Sequence, residues 1–471
     1  MDLPDSEKTI PGVHGPHWVR YGIAADQKYM LGVFLPTYDQ LVVNGNMLAH
    51  MKSALSQLIT QQVRKPFVID PQTHAFAHDR DYLLSTSKGS AGKVKRSWAK
   101  LITAFGPLIE RVVSDEKRPL DPSDLDDGDL RKEFVEKVLL FQRDSVTREL
   151  EEGEDKEYLE FLKEETGVDP FLQPPAVLIA PYFFIDGPLA SAWARWNVKL
   201  IEDAHAWRRE QTTEQPPVAA QLVISKDLLF DAEERKKLIE AYISAKPDLL
   251  LLWIDQFNEH NATASELRHY LALLSSFRDA GIPVVNLFGG FYSVATMRFS
   301  DELKGALAAV CHGLEYGETR PVIPLGGGTP VARFYSKTLH HRLPPRVALR
   351  EIQELGGLED VESFQAKICD CPNCREVITS DPILNLNEHY FDSKESSYWV
   401  GGRLVARDFP TARASANCTR HYMWCKKWEY RDMDERLDNL KTKLRQADEE
   451  LRKVLGAEYA GHPGVWIETL R

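Results

Sequence analysis

Uninterrupted apolar runs punctuate the chain at MLGVFLP (30–36), PFVID (66–70), AVLIAPYFFID (176–186), VAAQLVIS (218–225), DLLLLWID (248–255) and PVVNLFGG (283–290). A strand that alternates apolar and polar residues has one wet face. A strand that is apolar at almost every position has both faces covered, as in a parallel sheet flanked by helices. Between and after these runs the apolar spacing changes to three and four residues, and LASAWARWNVKLIEDAHAWRREQ, DAEERKKLIEAYISA, ATASELRHYLALLSSFRDAG and SDELKGALAAVCHG all predict helices. Alternation of strand and helix over most of the chain predicts an α/β architecture. With about eight such units, it favours a closed (β/α)8 TIM-like barrel over an open sheet.

Two segments interrupt the alternation. Residues 90–172 read as a helical insertion or lid containing the acidic stretch LEEGEDKEYLEFLKEE (150–165), a solvated face, and ending at Leu172-Gln173-Pro174-Pro175. The second begins near residue 366 with a cysteine cluster and closes with DMDERLDNLKTKLRQADEELRKVL (432–455). Leu437, Leu440, Leu444, Leu451 and Leu455 give that helix one apolar stripe, suited to packing on the barrel or to a homodimer seam. The predicted organisation is a barrel domain over 1–365 and a C-terminal metal-binding subdomain over 366–471.

Composition narrows the class. A chain of 471 residues that is 43% hydrophobic can bury a barrel-sized core and a smaller unit. No apolar run approaches the roughly eighteen residues needed to cross a bilayer. MDLPDSEKTIPGVHGPHW lacks the basic start and apolar stretch of a signal peptide, so the expectation is a cytoplasmic protein without membrane contact. The net charge of −12 excludes a global basic field that would draw in nucleic acid. Local patches would have to supply such contact, either KVKRSWAK (93–100) or RFYSKTLHHRLPPR (333–346), where Arg333, Lys337, Arg342 and Arg346 interleave with Phe334 and Tyr335. A solvated surface is the simpler reading of each.

Six cysteines, three of them inside KICDCPNCREV (367–377), do not suit a disulfide-stapled domain. Cys369, Cys371 and Cys374 place three sulfurs on one tight loop, and tetrahedral zinc wants thiolates converging at about 2.3 Å from one centre. The fourth ligand must come from elsewhere. His421, in NCTRHYMWCKK at the predicted start of a helix, is preferred over His389, Cys418 and Cys425. Four protein ligands leave no open coordination position, so such a zinc is structural.

A Cys-x-Cys-x-x-Cys loop and a helix-borne histidine, appended after a β/α barrel, resemble the zinc subdomain of the tRNA-guanine transglycosylase superfamily. The triple-cysteine spacing matches as it stands. His421 lies 47 positions after Cys374, a longer gap than the family's, which an insertion around SKESSYWVGGRL (393–404) accounts for. The resemblance implies exchange of a guanine in tRNA or DNA for a 7-deazaguanine base through a covalent carboxylate intermediate, with a second carboxylate handling protons. A catalytically degenerate barrel serving as a binding or partner subunit is the alternative, and the acidic tail leaves room for a separate protein partner.

The resemblance also implies positions. Asp70, which ends PFVID, matches the family strand that finishes in an aspartate. Helix or turn capping is its plain alternative role. Asp186, at the end of AVLIAPYFFID, and Gln221, in VAAQLVIS, fall where the family reads the guanine edge. The family nucleophile is not matched. AAVCHGLEYGETRP (308–321) offers Glu315 and Glu318 in place of an aspartate, and Asp255, at the end of DLLLLWID, is the rival. Gly289 and Gly290, in NLFGGF, and the glycines of PLGGGTP (324–330) allow close backbone approach to a base or phosphate.

Overall fold

The computed structural model describes residues 10–22, 27–86, 89–147, 161, 173–299, 307–314, 318–323, 332–400, 403–431 and 436–470. It divides into two compact units. The first comprises Met1–Phe257, His269–Ser293 and Lys304–Pro324, and the second comprises Asn258–Arg268, Val294–Leu303 and Leu325–Arg471. The second unit is thus larger than the 366–471 segment expected from the sequence.

In the first unit, eight parallel strands form a sheet nearly closed into a barrel: β1 (His17–Tyr21), β2 (Gln40–Asn44), β3 (Phe67–Asp70), β4 (Leu178–Ile179), β5 (Val218–Ile224), β6 (Leu249–Ile254), β7 (Val284–Asn286) and β8 (Leu307–Gly313). Their order is β3-β2-β1-β8-β7-β6-β5-β4, so every neighbour is also a neighbour in sequence once β8 returns beside β1. The ends of this order, β3 and β4, are joined by a bond from Ala176 N–H to the Phe67 carbonyl (2.7 Å). Trp18, Val42, Val68, Ala219, Val223, Leu251, Trp253, Val285, Ala309 and Cys311 form one buried cluster, with the period of two that an inward strand face requires.

Between β3 and β4, side chains supply what main-chain pairing does not. Gln142 lies on the helix Gly128–Asp144. Its Nε2 donates to the Ile179 carbonyl and its Oε1 accepts from Ile179 N–H, both at 2.8 Å. Asn197 treats Phe183 the same way, both bonds again at 2.8 Å. Thr73 Oγ1 donates to the Tyr182 carbonyl (2.7 Å) and accepts from Tyr182 N–H (2.8 Å). A buried backbone group without a partner is costly, and these side chains answer that cost along β4 and the residues after it. The described part of the 90–172 segment therefore supplies a structural helix; residues 150–160 and 162–165 of its acidic stretch lie outside the described residues.

Several sequence expectations change. MLGVFLP is not a strand: Gly32–Thr37 is a 3-10 turn, because Gly32 adopts φ 59 and Pro36 removes a ladder donor. The run AVLIAPYFFID contributes only the two-residue β4 and an isolated bridge at Ile185. The stretch LAAVCHG, read as helical, is β8. Strands β1 and β2 were not anticipated at all.

In the second unit, β9 (Phe334–Ser336) and β10 (His341–Leu343) form a hairpin, as do β11 (Ser393–Val400) and β12 (Arg403–Pro410). The helix Leu437–Leu455 buries the leucine stripe. The apolar core there gathers Phe334, Tyr335, Tyr390, Tyr422 and Leu451 around the three clustered cysteines.

Candidate functional site

Arg20, Asn44 and Asp70 have the parity of Trp18, Val42 and Val68, so all three project from the inward face at or next to the C-terminal end of their strands. Asn44 and Asp70 are register partners. Arg20 Nη1 donates to Asn44 Oδ1 at 2.7 Å and to Asp70 Oδ2 at 2.9 Å. The other oxygen of Asp70 accepts from Tyr182 O–H (2.6 Å) and from Gln72 N–H (3.0 Å). The turn-capping role is therefore present alongside the wider network.

Asp70 is 1% exposed and Arg20 is 4% exposed. Burial alone would push the Asp70 carboxyl up, but the charge of Arg20 and the bonds from Tyr182 and Arg20 outweigh it and hold the group below the usual carboxylate range. The result is a buried carboxylate, ionised at neutral pH, at the end of a barrel strand where barrel active sites lie. Because Tyr182 donates its proton to Asp70, its oxygen accepts from His74 Nδ1–H, 3.0 Å away. Burial, with His78 beside it, holds His74 down to about 3, so the imidazole is neutral.

Gln221 shares the inward parity of Ala219 and Val223 and is 1% exposed. Among the described residues neither of its amide atoms has a hydrogen-bond partner. The structure thus puts Asp70 and Gln221 on the barrel's inward face, with Tyr182 adjacent to both. Asp186 is exposed, after the Ile185 bridge, and makes no capping bond with the turn that follows. Asp255 follows β6, and its carboxylate accepts from Val322 N–H (2.6 Å) and Gln256 Nε2 (3.1 Å), a loop-holding role. Glu318 is half-buried in the segment after β8; Glu315 and the PLGGGTP glycines lie outside the described residues. Gly289 is required by packing: a Cβ there would come within 2.5 Å of Val310 Cγ1. Gly290 beside it is buried.

Sequence reasoning missed Arg20, Asn44, Tyr182 and His74. Arg20 and Asn44 were hidden because their strands were not recognised. Tyr182 was visible as the only hydroxyl-bearing residue within AVLIAPYFFID.

The candidate metal centre lies in the second unit. Cys369, Cys371, Cys374 and His421 are buried, with ligand atoms all within 4.8 Å of one another. His421 Nδ1 is 3.6, 3.5 and 3.4 Å from the sulfurs of Cys369, Cys371 and Cys374. A tetrahedron with Zn–S of about 2.3 Å and Zn–N of about 2.0–2.1 Å has N···S edges of about 3.5 Å, so the donor set fits zinc. His421 Nε2–H donates to the Tyr335 carbonyl (2.8 Å), which leaves Nδ1 free to ligate a metal. Phe334 stacks on the ring at 4.2 Å. His421 sits midway along the helix Ala412–Arg431, not at its start. His389 ends the helix Pro382–His389 and is outside the cluster. The β11–β12 hairpin occupies the long gap between Cys374 and His421.

Both basic stretches spend their aromatic residues internally. Trp98 packs edge-on to Phe76 and Tyr82. Phe334 and Tyr335 are core residues, and the Arg342 guanidinium lies 3.7 Å from the Tyr422 ring centre. Arg333, Lys337 and Arg346 remain exposed. No helix among the described residues is long and apolar enough to cross a membrane. Comparison with protein-family models, curated proteins and solved structures found no match.

Proposed function

We propose that the protein is a pentosyltransferase of the guanine transglycosylase type, exchanging a guanine in tRNA or DNA for a 7-deazaguanine base. The observation that carries this reading is Asp70: a buried, ionised carboxylate on the inward face at the C-terminal end of β3. The Cys3His cluster that follows the barrel in sequence supports it.

In the proposed reaction a carboxylate forms a bond to the sugar carbon C1′ as the bond from C1′ to guanine N9 breaks. Guanine leaves with the electron pair and takes a proton from an acid. The incoming base then gives up its N9 proton, attacks C1′ and releases the carboxylate, so no external energy source is needed. Asp70 supplies a charged carboxylate, and Gln221 offers one amide donor and one acceptor to a base edge. Glu318 and Asp255 are the candidates for the second acid. Zinc held by Cys369, Cys371, Cys374 and His421 would brace the second unit and supply no reacting group.

A barrel that binds without turnover is favoured by one observation: Asp255 is engaged with Val322 and Gln256. Incorporation of radiolabelled guanine into bulk tRNA and plasmid DNA decides between the readings. Label that appears with the wild type and vanishes with Asp70→Ala supports the enzyme. No label in either polymer, with or without added lysate, leaves the binding role.

A further inference from the structure

Arg20 uses only one corner of its guanidinium on the protein. Nη1 holds Asn44 and Asp70, whereas Nε and Nη2 are buried and, among the described residues, make no hydrogen bond. Those two nitrogens lie on the same edge of the plane, so their N–H groups project side by side as a fork. A buried fork of two charged donors without acceptors is expensive in an apoprotein. The Cys311 thiol near it gives little relief, since burial pushes that thiol up to about 12 and a neutral thiol is a weak acceptor. Arg20 and Asp70 offset one another while Arg320 adds a positive charge close by, and the planar fork of Arg20 calls for two adjacent acceptor atoms.

Aromatic side chains stand beside the fork. The guanidinium stands 4.9 Å from the centre of the Phe288 ring, which is 4.7 Å from that of Trp253. Gln221 adds an unpartnered amide at 1% exposure. Guanine presents two neighbouring acceptors, O6 and N7, on one edge, and an arginine fork is the side chain that matches them.

We infer that Arg20 reads the O6/N7 edge of the guanine to be exchanged and so favours it over the 7-deazaguanine that replaces it, an inference that rests on the function proposed above. Hypoxanthine keeps both acceptors. A 7-deazaguanine has carbon in place of N7 and loses one of the two bonds. Adenine turns an amino donor toward the fork.

The test is binding of guanosine, inosine, 7-deazaguanosine and adenosine to the full chain by calorimetry, in the wild type and in Arg20→Lys, which keeps a cation for Asp70 but has no fork. Guanosine and inosine should bind alike, 7-deazaguanosine about tenfold or more weakly for the loss of one charged hydrogen bond, and adenosine at least as weakly. Arg20→Lys should abolish the preference for guanosine over 7-deazaguanosine. Equal binding of guanosine and 7-deazaguanosine by the wild type, a preference undiminished in Arg20→Lys, or no binding of any of the four overturns the inference. Should the variant fail to fold, the wild-type series decides alone. Nucleoside preference without base exchange would sink the proposed reaction but leave Arg20 as the reader; exchange without the preference would do the reverse.

Discussion

Gln142 grips Ile179 by both main-chain polar groups, its amide standing where a neighbouring strand would otherwise stand. The two bonds cross 37 positions of sequence and join the helix Gly128–Asp144 to the edge strand β4.

Removing that grip should loosen the seam. Gln142→Leu leaves a buried N–H and a buried C=O at Ile179 unsatisfied, each at a cost of about 1–3 kcal/mol, so a loss of about 2–5 kcal/mol is expected in urea unfolding. Gln142→Glu keeps an acceptor for Ile179 N–H and loses the donor for its carbonyl. Faster exchange of the Ile179 amide in Gln142→Leu than in Gln142→Glu is the expected pattern.

The fold was legible where strands are apolar on both faces. β3, β5, β6 and β7 were found from their runs, and four long helices from their apolar spacing. β1 (HWVRY) escaped for a physical reason: His17 and the inward Arg20 cut its apolar run to two residues, whereas β2 (QLVVN) carries a three-residue run as long as that of β3 and was readable. The strand that carries Arg20 is thus one that a hydrophobic pattern conceals. Asp70 was readable because its run stayed apolar up to its last residue. The candidate metal ligands were readable because three of the four are crowded into six positions, and His421, preferred from the sequence, falls in the cluster with its other ring nitrogen held by the Tyr335 carbonyl.

Arg20 and Asp70 are both buried, so breaking the pair should cost more than the pair itself contributes. Arg20→Met strands the carboxylate and is expected to lose about 3–5 kcal/mol in chemical denaturation. Changing Asp70→Asn in the same chain should recover part of that loss, since no buried charge then lacks its partner. A double-mutant cycle that is strictly additive would show that the two groups do not act together.

Acid should weaken the barrel through its buried imidazoles. His74 is held down to about 3 and His78, by burial, to about 4. Below about 6.5 the unfolded chain takes up protons that the folded one refuses, so stability falls with falling pH at up to about 1.4 kcal/mol per pH unit for each histidine. The window runs from about 6.5 down to about 4 for His78 and about 3 for His74. The denaturation midpoint should drop between pH 6.5 and 4.5, and the drop should be shallower in His74→Gln. Asp70, with a depressed carboxyl, contributes stability above its unfolded value and loses it only at lower pH still.

The purified chain should carry about one zinc per molecule by elemental analysis, as expected of a closed four-ligand site. His421→Ala and Cys371→Ser should lose it, whereas His389→Ala should retain it. Strong chelation should abolish protection of the buried amides around Tyr390 and Cys374, because metal affinity in such sites is also folding free energy.

The hairpin β11–β12 sits in sequence between Cys374 and His421 of the candidate metal cluster, with a largely exposed second strand. Closing a loop costs only about 0.6 kcal/mol for each doubling of its length. An ion bound there would work as a clasp that barely registers how much chain hangs between its jaws. Shortening the hairpin, or replacing it with a reporter peptide, should leave the clasp shut.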